Sequence, residues 1–346
     1  MKRSTYWMLA TLYYISQLLG ILSFCYDPNT QEIYTTKIVT IYCALISIGL
    51  FGVIPMIMQI IRNTENVYSQ DVHVQISATI VILHIVAILV TVVFNWMKRC
   101  EFIDILQEFI ALRQSFLSKW PLSLEMEKKF ERALRLKTLV GFLANLSLVL
   151  GFFDFYNRQL DLDIFAYMYL SVFSILLGVV IAHYYFYIIN VNILLGVLNQ
   201  RLRCILDTSQ DLVRKHQSYH RRLGTFAKQL ANEVDELALF QRKLQSHVLR
   251  LNDMYGVQSI CVLLMVYLTN LIVLYMTYMM NQHAYVFEMY KSQLAPMAIA
   301  TLLFYVDLGI FGFGLLQLLD LVEETSFLLM EHQPCANNLD VELEKS

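Results

Sequence analysis

Uncharged stretches alternate with charge-crowded ones along the chain, and the uncharged stretches have the length of a membrane crossing. Ile38–Ile61 and Val74–Met97 each run 24 residues without Asp, Glu, Lys or Arg. Thr138–Tyr156 carries Asp154 alone, Met254–Gln282 carries none, and Ser292–Leu319 is interrupted only by Asp307. A hydrocarbon core about 30 Å thick takes roughly 20 residues of helix at about 1.5 Å each, so each stretch is predicted to span. Ile164–Gln200 is 37 residues long. As one helix it would measure about 55 Å, so it is predicted to cross once and continue beyond the bilayer. The pattern predicts an all-α membrane protein, a polytopic helical bundle with six transmembrane helices and helical extensions outside the bilayer.

The polar connections carry their own periodicity. Apolar residues fall at Phe226, Leu230, Val234, Leu237, Phe240, Leu244, Val248 and Leu251, three or four apart, with charges on the other face. Leu194, Leu195, Leu198, Leu202, Ile205 and Leu206 continue the fourth span in the same way. Such spacing is helical. Ser218–Thr225, with Gly224, reads as the turn of a helical hairpin. The hairpin either covers its own stripe or offers it to another subunit, and periodicity does not name the partner. The expected segments are an interfacial or cytoplasmic 1–37; 38–156, with three spans and a basic loop at 98–137; a long fourth span at 157–200; the hairpin at 201–253; two spans at 254–322; and a tail at 323–346.

Charge orients the bundle. Alternate connections hold 23 of the Lys and Arg residues against 3 in the other set. The positive-inside rule makes the rich set cytoplasmic. Tyr6–Tyr26 resembles a signal peptide, but cleavage would turn the basic connections outward, so that reading is rejected. Two readings remain. Either this segment spans, giving seven helices with an external amino end, or it lies in the interface, leaving six and a cytoplasmic amino end.

Composition agrees with this class. Hydrophobic residues make up 57% and charged residues 16% of the chain, far from the balance of a soluble domain. This excludes a soluble enzyme. The 6 Cys are scattered and fall mostly on the reducing side or within spans, so no disulfide is expected. Asn145-Leu146-Ser147 is a sequon inside a span and should carry no glycan.

No Walker loop, GxGxxG, HExxH, GxSxG or CxxC occurs. No enzymatic activity, cofactor, metal site or nucleic-acid partner is therefore expected. The candidate chemistry is recognition. Phe152, Tyr167, Tyr275, Tyr278 and Tyr305 belong to an aromatic set in the outer halves of spans three to six. Interfacial belts account for many such residues, whereas a phenol-lined cup suits small amphiphilic organic ligands. Asp307 and His84 interrupt spans with ionisable groups, each a candidate site needing a polar partner. These seven residues form the candidate ligand-binding set.

Three stretches carry a family resemblance. Leu18-Leu19-Gly20-Ile21-Leu22-Ser23-Phe24 followed by Tyr26-Asp27, then Leu251-Asn252-Asp253-Met254-Tyr255-Gly256-Val257-Gln258, and Phe304-Tyr305-Val306-Asp307 resemble insect gustatory receptors in order and spacing. The resemblance implies a cytoplasmic amino end and a non-spanning Tyr6–Tyr26. It also implies a plasma-membrane, ligand-gated cation channel of sensory neurons, opened by small organic tastants, bitter compounds included, and assembled as a homo- or hetero-tetramer with other such subunits. Family members end in a seventh, pore-lining span. The sequence ends with Asn337–Ser346 before any further apolar stretch, so that span is expected to be absent, leaving a polypeptide that does not conduct by itself. The alternatives are a metabotropic seven-helix receptor coupled to G proteins, and a small-solute transporter.

Overall fold

The computed structural model describes residues 3–27, 30, 32–67, 72–159, 164–215, 220–282 and 284–331. Its elements, in chain order, are α1 (Arg3–Leu18), β1 (Cys25–Asp27), β2 (Glu32–Tyr34), α2 (Lys37–Val67), α3 (Val72–Met97), α4 (Arg99–Lys119), α5 (Leu124–Gln159), α6 (Ile164–Lys215), α7 (His220–Gln282) and α8 (Ala284–Glu331). The fold is all-α apart from the short antiparallel pair β1–β2, in which Tyr26 faces Ile33. Two helical stretches among the described residues, Ile175–Asp211 and Ala298–Met330, are long and apolar enough to cross a membrane. Lys37–Gly52 and Ile85–Met97 are shorter apolar stretches.

Local sequence explains where the helices begin and end. Gly20 terminates α1 with φ at 71°, a conformation glycine adopts without a Cβ penalty. Gly20 N–H donates to Gln17 O and Ile21 N–H to Ser16 O, both at 2.9 Å, which is a Schellman closure. With 16 residues, α1 is about 24 Å long, shorter than the hydrocarbon core. The Thr36 hydroxyl caps α2 by accepting from Val39 N–H, and Ser123 caps α5 by accepting from Met126 N–H.

The connection expected as a loop at 98–137 is mostly helix. It contains α4 and the first turns of α5. Ile105, Phe109 and Phe116 of α4 are buried at helical spacing. Dense charge on the remaining positions masks this stripe in the sequence. The long fourth stretch runs on as one helix of 52 residues, and α7 is 63 residues long, both well beyond a bilayer.

The chain divides into two compact units. The first comprises Met1–Gln107, Glu131–Phe186 and Asn252–Phe311. In it the turn after α1 and strand β2 are tied to α4: Arg99 donates to Ser23 O at 3.0 Å and also to the Thr40 hydroxyl of α2 at 2.6 Å, while Gln107 donates to Ile33 O at 2.7 Å. Trp96 donates its indole N–H to Ser47 at 2.9 Å, joining α3 to α2.

The second unit comprises Glu108–Phe130, Tyr187–Leu251 and Gly312–Ser346. Its core is the apolar stripe read from the sequence: Leu194, Leu195, Leu198, Leu202 and Ile205 of α6 and Leu230, Leu237, Phe240, Leu244 and Leu251 of α7 are all buried. Phe116 stacks on Phe240 with ring centres 3.8 Å apart. The register of α6 against α8 is set by two asparagines. Asn192 donates to Gly314 O and Asn199 to Leu321 O, both at 2.8 Å. Donors and acceptors are each seven residues apart and advance in the same direction, the geometry of parallel helices packed with heptad spacing.

Candidate functional site

Two of the three stretches that carry the resemblance, those holding Phe24 and Tyr255, meet in the first unit. Phe24 meets Phe102 of α4, Phe102 meets Tyr255 of α7 edge-on, and Tyr255 stacks on Tyr184 of α6 at 5.1 Å and 10°. The Tyr184 hydroxyl donates to Asn252 Oδ1 at 3.0 Å. Tyr184 also contacts Phe311 of α8 at 5.4 Å. Phe24, Tyr255 and Asn252 come from the resemblance stretches, whereas Phe102, Tyr184 and Phe311 link them. Dispersion between rings and burial of their area hold such a chain together.

Beside it lies a cavity of about 20 Å³, bordered by Ser23, Phe24, Arg99, His183, Tyr255 and Gln258. That volume suits one water. Gln258 Oε1 and Arg99 Nε are buried without a hydrogen-bond partner among the described residues, an acceptor and a donor that one water could bridge. His183 Nε2 lies 2.9 Å from Ser16 Oγ. Ser16 gives its single proton to Leu12 O at 2.5 Å, so His183 is the donor to Ser16.

Asp307 finds the polar partner its position demands. Lys137 of α5 donates to Asp307 Oδ2 at 2.6 Å and approaches Asp307 O at 3.3 Å. The Lys137 side chain is 4% exposed and that of Asp307 15%. The ammonium also lies over the rings of Tyr185 and Phe311, at 5.4 and 5.8 Å, a favourable setting for a desolvated cation. In the sequence Lys137 is one of the orienting charges of the basic 98–137 connection. No sequence signal joins it to a residue 170 positions away.

The seven candidate residues occupy different levels. Tyr275 and Tyr278 lie within two turns of the end of α7, and Tyr278 is exposed. Tyr305, also exposed, is 21 residues into α8, about 32 Å along that helix. Asp307 Oδ1 lies 3.6 Å from where a Cβ of Gly141 would stand. It is therefore level with Gly141, and Phe152 is eleven residues further along α5, about 16 Å away. His84, Phe152 and Tyr167 belong to α3, α5 and α6, with side chains outside the described ones. Among the described residues no ring contact joins Tyr275, Tyr278 and Tyr305 to one another.

The second unit holds an open groove of about 830 Å³ whose border includes Glu125, Lys129, Arg203, Asp207, Asp211 and Glu324. Lys129 pairs with Glu125, and Arg203 with Glu324. The groove is open, and charged side chains crowd its border. Among the described residues no group of three or more His, Cys, Asp or Glu could hold a metal ion.

The profile of the 7tm chemosensory receptor family matches residues 9–346. The chain belongs to that family. Among the similar proteins are three from Drosophila melanogaster that carry gustatory-receptor names. Gustatory receptor 36b is 22% identical over 347 residues, an alignment covering 98% of this chain and 85% of the relative. Gustatory receptor 36a is 25% identical over 356 residues with the same coverage. Gustatory receptor 36c is 21% identical over 293 residues, covering 80% of this chain and 70% of its own. Family membership makes the chain a chemosensory membrane receptor and gives its all-α, apolar architecture a setting. For this 7tm chemosensory receptor, the linked aromatic rings and the Lys137–Asp307 pair lie in the interior of the first unit, where receptor helices must pack.

Proposed function

We propose that the chain is a subunit of a ligand-gated cation channel that detects small organic tastants, bitter compounds among them. The observation that carries this reading is the receptor-family match across residues 9–346, with relatives bearing gustatory-receptor names. In this reading the subunit lies in the plasma membrane of a sensory neuron, spans it six times, keeps its amino end in the cytosol and forms a homo- or hetero-tetramer with related subunits. The short α1 and the basic connections support that orientation.

Ligand is taken up by the outer aromatic tier, with Tyr275, Tyr278, Tyr167 and Phe152 stacking on its apolar body and His84 offering a hydrogen bond. Tyr305 lies deeper, on the route from ligand to the interior of the first unit. A ligand that contacts this tier differently in closed and open states shifts the population between them. The test is current recorded from cells co-expressing this chain with a related subunit while quinine, caffeine and sucrose are applied. A cation current that requires this chain, with its dose response shifted by Tyr278→Ala at equal surface expression, supports the reading. Responses that persist without conductance and require a G protein overturn it. Labelling of an amino-terminal epitope in unpermeabilised cells overturns the six-span topology.

A further inference from the structure

We propose that Lys137 and Asp307 act as a register lock between α5 and α8, a pair of positioning residues that specifies which turn of one helix faces which turn of the other. The pair is an odd choice if stability were its purpose. Both side chains are nearly buried, and Asp307 Oδ1 has no hydrogen-bond partner among the described residues. A half-satisfied buried ion pair recovers little more than its desolvation cost, and apolar residues of similar volume often replace one with no loss. What such a pair supplies is uniqueness.

The surroundings call for it. On α5 the neighbours are Leu134, Val140, Gly141 and Ala144, and on α8 they are Phe304, Leu308 and Phe311, all apolar and repeating at helical spacing. Sliding α8 by one turn, about 5.4 Å, would exchange one apolar contact for another, but it would strip both charges of their partner. The lock also stands near a boundary on each helix. Glu131, where α5 enters the first unit, is six residues before Lys137, and Phe311, where α8 leaves it, is four after Asp307. The inference does not rest on the channel reading.

The test uses the full chain in lipid nanodiscs, its other cysteines replaced, with Gly141→Cys paired in turn with Phe304→Cys, Leu308→Cys or Phe311→Cys and a short bis-thiosulfonate cross-linker. With the native pair, one rung of this ladder should dominate. Lys137→Met or Asp307→Leu alone leaves a buried unpaired charge and should lower the melting temperature by about 5 °C or more. The double variant Lys137→Met with Asp307→Leu should recover most of that melting temperature yet spread its cross-links over several rungs. The swap Lys137→Asp with Asp307→Lys should restore the single rung. A double apolar variant that keeps the native ladder overturns the proposal, because the pair would then carry no register information. Should that variant fail to assemble, the swap decides alone, and a scattered ladder there overturns it equally.

Discussion

The contact between Asn199 and Thr325 in the second unit allows a sharp test of how α6 holds α8. Asn199 is 2% exposed and Thr325 1%. The Thr325 hydroxyl donates to Asn199 Oδ1 at 2.6 Å and has Leu321 O as a second acceptor at 2.8 Å, while Asn199 Nδ2 donates to Leu321 O at 2.8 Å. Thr325→Val keeps the shape and removes the one donor to Asn199 Oδ1 among the described residues. An acceptor left unsatisfied in the interior costs about 1–3 kcal/mol. Asn199→Leu alone is milder, because the threonine proton then turns to Leu321 O. In the double variant neither side retains a group that needs the other, so its cost should fall short of the sum by about 1 kcal/mol or more. Thermal unfolding of the detergent-solubilised chain would read Thr325→Val as a fall of about 2–12 °C, using about 2–4 °C per kcal/mol for chains of this order of size. Effects of the two single substitutions that add within about 0.5 kcal/mol would refute the coupling and with it this reading of the α6–α8 contact.

Two further outcomes follow from the packing and the charges. A Cβ at Gly178 would stand 2.7 Å from Asn145 Nδ2, whereas one at Gly141 would meet Asp307 Oδ1 at 3.6 Å. Gly178→Ala should therefore cost about 1–3 kcal/mol and reduce folded receptor at the cell surface, while Gly141→Ala is tolerated; equal yields would count against the packing of α5 on α6. Burial holds the His247 imidazole below its ordinary pKa, opposed by the carboxylate of Glu108 and reinforced by Arg250. The unfolded chain takes up that proton near pH 6.5 and the folded chain only lower, so stability is full above about pH 6.5 and declines as pH falls below it. Melting temperatures between pH 7.5 and 5.5 should flatten in His247→Gln, and a curve parallel to the native one would remove His247 as the cause.

What was legible in the sequence and what was not divide along one physical line. Helices show because each residue's environment repeats at 3.6, and a bilayer shows because it forbids charge over about 20 positions. The buried stripe from Leu230 to Leu251 and the single long helix after Ile164 were readable on that basis. The same rule hid α4, since it ranks a segment by charge density and Ile105, Phe109 and Phe116 sit among Lys, Arg and Glu. It also hid Asn192 and Asn199. An uncharged amide passes unnoticed through a 37-residue stretch defined by lacking Asp, Glu, Lys and Arg, yet these two fix the packing of α6 on α8. Pairings were out of reach altogether, because Lys137 and Asp307 are related through tertiary contact alone. The sequence reading gave Lys137 the job of orienting the bundle and gave Asp307 a share in the ligand. The geometry gives the lysine a second task and puts the carboxylate about 16 Å along the bundle from Phe152. In an apolar chain, then, an isolated acid within a span directs attention first to the nearest base bordering another span. A ligand becomes the natural partner for such an acid only where no base reaches it.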